Sequence, residues 1–299
     1  MRHFVKKEYS IYAMDKNNSS VLTVESGDEI IFETKDCFSD QITNEQVDVQ
    51  GIDWNQINPA TGPVFVKNAQ VGDILAVKIK TIEIDDTATL FTGKDLGVIG
   101  DELEETTIRR LPIVDGKIEF SSNIHLPLNK MIGVIGTAPA EEKVSCGTPD
   151  LHGGNMDCKE ITEGVTLFLP VNVEGALLAL GDLHAAMADG EVSVCGGEVA
   201  GQVTVEVYVL KGENLPTPFL VNKEKIMTLA SEVTLDEAYV LATKNMLRFV
   251  EKYTSLSKGN ATHLLSLAGD LRICQVVDPK KTVRMELPLK YLEQWRGLV

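Results

Sequence analysis

The stretch GQVTVEVYVL, residues 201–210, reads as a strand lying half-buried in a sheet. On an extended chain Val203, Val205, Val207 and Val209 face one side, while Thr204, Glu206 and Tyr208 face the other. A β-branched apolar row backed by a more polar row marks a sheet with one face on a core. Working outward, GDEIIFET (27–34), GDILAVKIKTIEI (72–84), GKIEFSS (116–122) and GVTLFLPVNV (164–173) are further β-rich runs punctuated by Gly, Pro, Asn and Asp. From Val21 to about Leu210 this is the grammar of an all-β region. After Lys211 the pattern changes. PTPF (216–219) interrupts the sheet signal, and Thr234 with Glu237 forms a capping box ahead of an apolar stripe at Ala238, Ala242, Met246, Phe249 and Tyr253. That spacing predicts a helix of about five turns from Leu235 to Tyr253. A second helix is expected over Ala261–Leu271, then strands at ICQVVD (273–278) and TVRMELP (282–288). The expected fold class is therefore mainly β, sandwich- or barrel-like, with an α+β C-terminal part. Its expected divisions are residues 1–120, an N-terminal β region; 121–212, a β region carrying the main motifs; and 213–299, the α+β region.

Composition narrows the function. The 299 residues carry a net charge of −16, and no Lys/Arg stripe overrides it locally, so nucleic acid is not an expected partner. No segment approaches the roughly 18 consecutive apolar residues of a membrane span, so a membrane is not expected either. The start, MRHFVKKEYS, has no apolar run after its basic residues, and the expected location is the cytoplasm. Five widely spaced cysteines without a CxxC pair fit reduced thiols better than a disulfide framework or a cysteine-built zinc site. With only five histidines in the chain, any metal site should be rich in carboxylates.

Two segments concentrate chemistry. In ALLALGDLHAAM (176–187), read as a strand, Leu178, Leu180, Asp182 and His184 share a face, so an apolar run ends in a carboxylate beside an imidazole. Such a pair suits a metal site or an oriented general base, and equally a hydrogen-bonded pair closing a turn. The chain continues as ADGEVSVCGGE (188–198), where Glu191 and Glu198 flank a Gly-rich turn. In HGGNMDCKE (152–160), Asn155 and Asp157 share a face if the chain is extended, and the alternative is a polar loop. The two segments are separated by one strand pair and could meet at one end of a sheet.

HGGNMD (152–157) combined with GDLHAAM (181–187), with NPATGPVFVKNAQVGDILAVKI (58–79) upstream and MIGVIGTAPA (131–140) nearby, resembles the acetamidase/formamidase family over at least residues 20–210. The resemblance implies hydrolysis of a small aliphatic amide, formamide- or acetamide-like, to ammonia and a carboxylic acid. It further implies a β-rich amide hydrolase fold, a homo-oligomer and a divalent metal: zinc first, with manganese or calcium as alternatives. On the matching positions it suggests Asp36, Asp157 and His184 as metal ligands. Glu198 would be the proton shuttle, with His152 and Asp182 as the other catalytic groups, and Asn155 and Glu191 would meet the substrate. Asp40 and Ala188 stand where relatives usually carry Gly, which bears on substrate preference. Two rivals are weighed beside this reading. Cys158 as a nucleophile next to Lys159 and Glu160 is disfavoured because neighbours on an extended chain project apart. A non-catalytic β-sandwich module with a structural calcium site fits the carboxylates but not the imidazoles.

Overall fold

The computed structural model describes residues 1–299. Strand Gly201–Leu210 lies inside a nine-stranded sheet, antiparallel to Glu29–Thr34 on one side and to Ile74–Ile84 on the other. Val203, Val205 and Val207 are fully buried, each stabilising the fold by about 1.5–3 kcal/mol relative to exposure. The opposite face changes character along the strand. Thr204 and Glu206 are only half-buried, whereas Tyr208 and Leu210 pack against the C-terminal core. The same sheet continues from Ile74–Ile84 through Thr166–Pro170, Phe219–Val221, Lys225–Glu232 and Lys281–Pro288 to Asp270–Gln275. Strands from all three expected divisions thus share one sheet, and the hairpin of Lys117–Ser121 with Ile124–Pro127 crosses the 120/121 division.

A second, eleven-stranded sheet holds Leu178–His184 at its centre, with Met131–Gly136 along one side. The main core joins the two sheets: Phe32, Leu75 and Val205 from the first meet Ile132, Leu178 and Leu183 from the second. No helix is long and apolar enough to cross a membrane.

Helix α1, Leu235–Tyr253, carries the expected reciprocal capping box between Thr234 and Glu237. Ala238, Ala242, Met246 and Phe249 are buried, and Phe249 meets Phe219 edge-on at 4.8 Å while Phe219 stacks on Phe168 at 4.2 Å. Helix α2 runs Lys258–Ala268 rather than Ala261–Leu271, because Ser257 caps its start through the Asn260 N–H and Gly269 closes its end onto the Leu265 carbonyl. Leu271 therefore belongs to the following strand. ICQVVD is likewise only half strand. The ladder stops at Gln275, whose side-chain oxygen accepts the N–H groups of Val277 and Asp278 at 2.9 and 3.0 Å and turns residues 276–280 into a loop. Local side-chain bonding has displaced ladder bonding there.

The C-terminal hairpin is fastened to residues 188–191. Gly190 donates to the Cys274 carbonyl at 2.8 Å and accepts from the Val276 N–H at 3.2 Å. Below this contact, the buried Arg284 guanidinium binds both carboxylate oxygens of Asp189 at 2.7 and 2.9 Å and Glu286 at 2.8 Å.

Candidate active site

Strand Leu178–His184 keeps Met131–Gly136 as one neighbour throughout, but changes its other neighbour part-way. Gly181 pairs with Ala60, and from Leu183 and His184 the partners are Val199 and Glu198. Asp182 sits at the handover and adopts a left-handed conformation, φ +56°. This breaks the simple alternation. Leu178, Leu180, Leu183 and Ala185 all face the main core, so His184 points away from the face that Leu178 and Leu180 occupy. Asp182 and His184 nevertheless meet, with His184 Nε2 3.7 Å from Asp182 Oδ1. The same nitrogen is 3.3 Å from Glu198 Oε1 and 3.7 Å from Asp157 Oδ1.

Asp157 arrives from an adjacent strand. Gly153–Asn155 pairs with Met131–Gly136, after which the chain leaves extended geometry and Asp157 turns at φ +39°. Asn155 and Asp157 are brought to one place by that turn, not by strand periodicity. Glu191, φ +47°, enters from the turn that Arg284 holds. Two sets of donor atoms result, each mutually within 4.8 Å: Asp157, His184 and Glu191, and Cys37, Asp182 and Glu198.

Burial without counter-charge governs the electrostatics. Burial, then the charge of Asp278, pushes the Asp157 carboxyl well above its ordinary range, and Glu191 and Glu198 are raised by burial and by neighbouring acids. Burial works to lower the His184 pKa, but Asp182 and Asp157 outweigh it and raise it. Asp182 is the acid that stays below its ordinary value: burial opposes ionisation, and His184, Glu198 and Asn58 overcome it. The Asn58 amide donates to Asp182 Oδ2 at 3.0 Å, and the Gly196 N–H donates to Glu198 Oε1 at 2.8 Å.

Seven buried side-chain polar atoms in the chain have no hydrogen-bond partner. They are His152 Nε2, Asn155 Oδ1, Asp157 Oδ1, Asp182 Oδ1, His184 Nδ1, Glu191 Oε2 and Glu198 Oε2. Buried polar atoms are almost always paired, so seven orphans concentrated on these two motifs and the Gly-rich turn mark a place built to meet something else.

Against this geometry stand the relatives. Residues 15–147 and 144–294 match the model of the acetamidase/formamidase family. The chain belongs to that family. It is similar to the crystal structure of an acetamidase from Bacillus halodurans, 49% identical with a TM-score of 0.95, covering 97% of this chain and 98% of that one. An acetamidase from Yersinia enterocolitica gives a TM-score of 0.92 at 28% identity, covering 98% of this chain and 93% of that one. A formamidase of Methylophilus methylotrophus is 27% identical over 254 residues, 64% of this chain and 61% of that protein. The chain spans about three fifths of the length of the first curated relatives it matches.

Within this acetamidase/formamidase family member, not every residue singled out in the sequence reaches the cluster. Asp36 belongs to neither donor set: its carboxylate accepts from the Asp40 N–H at 2.7 Å and lines a separate acidic pocket with Asp85, Asp86 and Arg110. Burial pushes it up to about 6. The chain has left the strand at Thr34 and turns here, with the Ser39 N–H donating to the Asp36 carbonyl, and it is the neighbouring Cys37 that lies with Asp182 and Glu198. Asp40 has φ +59°, a conformation that glycine adopts at no steric cost. His152 is buried near Asp150 and Lys280, and burial lowers it to about 4, so it is neutral at pH 7. Cys158 packs in the main core beside Cys274, Lys159 pairs with Asp189 at 3.1 Å, and Glu160 lies 3.7 Å from Arg284. The three adjacent residues thus serve three separate contacts, with no base at the thiol.

Residues outside the expected site list complete the cluster. Asp278, from the loop after Gln275, accepts from Asn155 Nδ2 at 3.0 Å and is pushed to about 8 by burial and by Asp182. Gly133 lies opposite Asp182, where a Cβ would stand 2.5 Å from Asp157 Oδ1 and 2.9 Å from Asp182 Oδ2. A Cβ on Gly196 would fall 2.4 Å from His184 Nδ1. In the sequence Gly133 shows only as an interruption of an apolar strand, whereas Gly196 belongs to the Gly-rich turn read between Glu191 and Glu198.

Proposed function

We propose that the protein hydrolyses small amides, R–CO–NH2 with water giving R–COOH and NH3, at a site built on Asp157, His184, Glu191, Asp182 and Glu198. The observation that carries this reading is the orphaned buried polar atoms on these five residues, together with membership of the acetamidase/formamidase family. Several acids crowded into a buried volume cannot all ionise unaided, and a divalent cation relieves that repulsion. Asp157, His184 and Glu191 fit such an ion, because two carboxylates with one imidazole suit zinc or manganese better than calcium. Glu191 thereby takes a ligand role first expected of Asp36. Bound there, the ion supplies the positive charge that acidifies water and polarises an amide carbonyl.

The chain's own groups carry out the remaining steps. Glu198, 3.3 Å from His184 Nε2, would in its ionised form accept a proton from the attacking water and deliver it to the departing nitrogen, which amide cleavage requires. Asp182 stays ionised 3.7 Å from His184 Nε2, and its negative charge adds to the pull of the site on a cation. Asn155 donates its N–H to Asp278, which leaves Oδ1 as an acceptor for the substrate NH2. Ammonia release from formamide and acetamide tests the reading, with loss on chelation and recovery on adding zinc or manganese. Full turnover in metal-free protein removes the metal from the mechanism, and no turnover of any primary amide by metal-loaded protein removes the amidase.

A further inference from the structure

Beside the cluster lies an apolar cavity of about 220 Å³, walled by Leu111, Ile118, Phe120, Leu126 and Met187. Its polar end is Glu191, 7% exposed, whose Oε2 is one of the orphaned atoms. Gly196 also lines it, the residue against which His184 Nδ1 is packed. We propose that this cavity receives the acyl group of the substrate, so that the enzyme favours amides of medium-chain or aromatic acids over formamide and acetamide. The inference rests on the amide-hydrolase reading above and specifies its substrate class.

A primary amide has one polar end and one apolar end. The polar end is satisfied by the orphaned donors and acceptors of the cluster, and the acyl group gains only by leaving water. Formamide and acetamide would leave most of 220 Å³ unused. An apolar cavity of about 150 Å³ takes up benzene, so this one accommodates a phenyl ring or a six-carbon chain. A larger cleft that His152 lines is bordered by Glu141, Glu142 and Asp150 and reaches neither Glu191 nor Gly196. Each methylene buried is worth roughly a fourfold gain in kcat/KM if the contact persists in the transition state.

The test is kcat/KM for ammonia release by the metal-loaded protein from formamide, acetamide, butyramide, hexanamide and benzamide. A rise of about fourfold per methylene from acetamide to hexanamide is expected. A maximum at formamide or acetamide, with decline along the series, overturns the acyl cavity while leaving amide hydrolysis standing. No ammonia from any of the five overturns both. Leu126 lies 40% exposed on the edge strand Ile124–Pro127, so Leu126→Trp narrows the cavity without disturbing a core. In that variant the hexanamide-to-acetamide ratio should fall at least about tenfold; an unchanged ratio in soluble protein overturns the proposal.

Discussion

Two buried polar clusters sit two residues apart on the same turn, and they are opposites. Around Arg284 every charge has a counterpart: Asp189 is held bidentately and Glu286 is shared with Lys225. Burial works to raise both acids, yet Arg284 with Lys159 or Lys225 holds them below their ordinary values. Around Glu191 the acids face one another with His184 as the one basic side chain, and four of them, Asp157, Glu191, Glu198 and Asp278, are driven up. A satisfied cluster fixes the fold. An unsatisfied cluster costs the fold stability and leaves buried polar atoms open to a ligand.

The largest effect should come from the unsatisfied side. His184→Ala is expected to lower kcat/KM for amide hydrolysis by roughly 10⁴-fold while urea unfolding stays cooperative, and an unfolded variant would assign His184 to the fold instead. On the satisfied side, Arg284→Met removes the buried guanidinium from between Asp189 and Glu286 and leaves each acid a single lysine, Lys159 and Lys225. It should cost about 3–5 kcal/mol in urea denaturation, and a loss below about 1 kcal/mol would erase the distinction between the clusters.

Smaller changes sharpen the contrast. Gly133→Ala pushes a methyl against the Asp157 and Asp182 carboxylates and the Asp182 carbonyl, so roughly 10–100-fold loss of activity is expected together with a lowered thermal midpoint. Last comes pH. Asp278 titrates near 8 when folded and Asp36 near 6, both above the ordinary aspartate value. The folded metal-free chain keeps protons that the unfolded chain has already lost, so stability falls as pH rises from about 4 through 8. Melting of chelated protein should drop by at least about 4 °C between pH 5 and pH 8, and zinc should reverse the drop. A midpoint that climbs over this range would contradict the crowding of acids.

Much of the fold was legible because it follows short-range rules. The Val203–Val207 row and the Thr234–Glu237 capping box are local statements, and both are found as read. The site was legible as a set of residues but not as a geometry. His184 lies off the expected face because alternation assumes an uninterrupted strand, whereas this one turns at Asp182 as its neighbour is exchanged. Asp278 had no local mark at all. It reaches Asn155 across 123 positions of sequence, through a hairpin whose docking no periodicity reports.

That hairpin gives the molecule a timetable. A ribosome delivers the chain at about 5–20 residues per second, N-terminal segments first, so Cys37 is available long before the acid at 278. A chain stalled near residue 260 would already own most strands of both sheets, yet lack the loop that orients Asn155 and the guanidinium beneath the Glu191 turn. Competence would then switch on late, as residues 260–299 close over a scaffold that has been waiting for them.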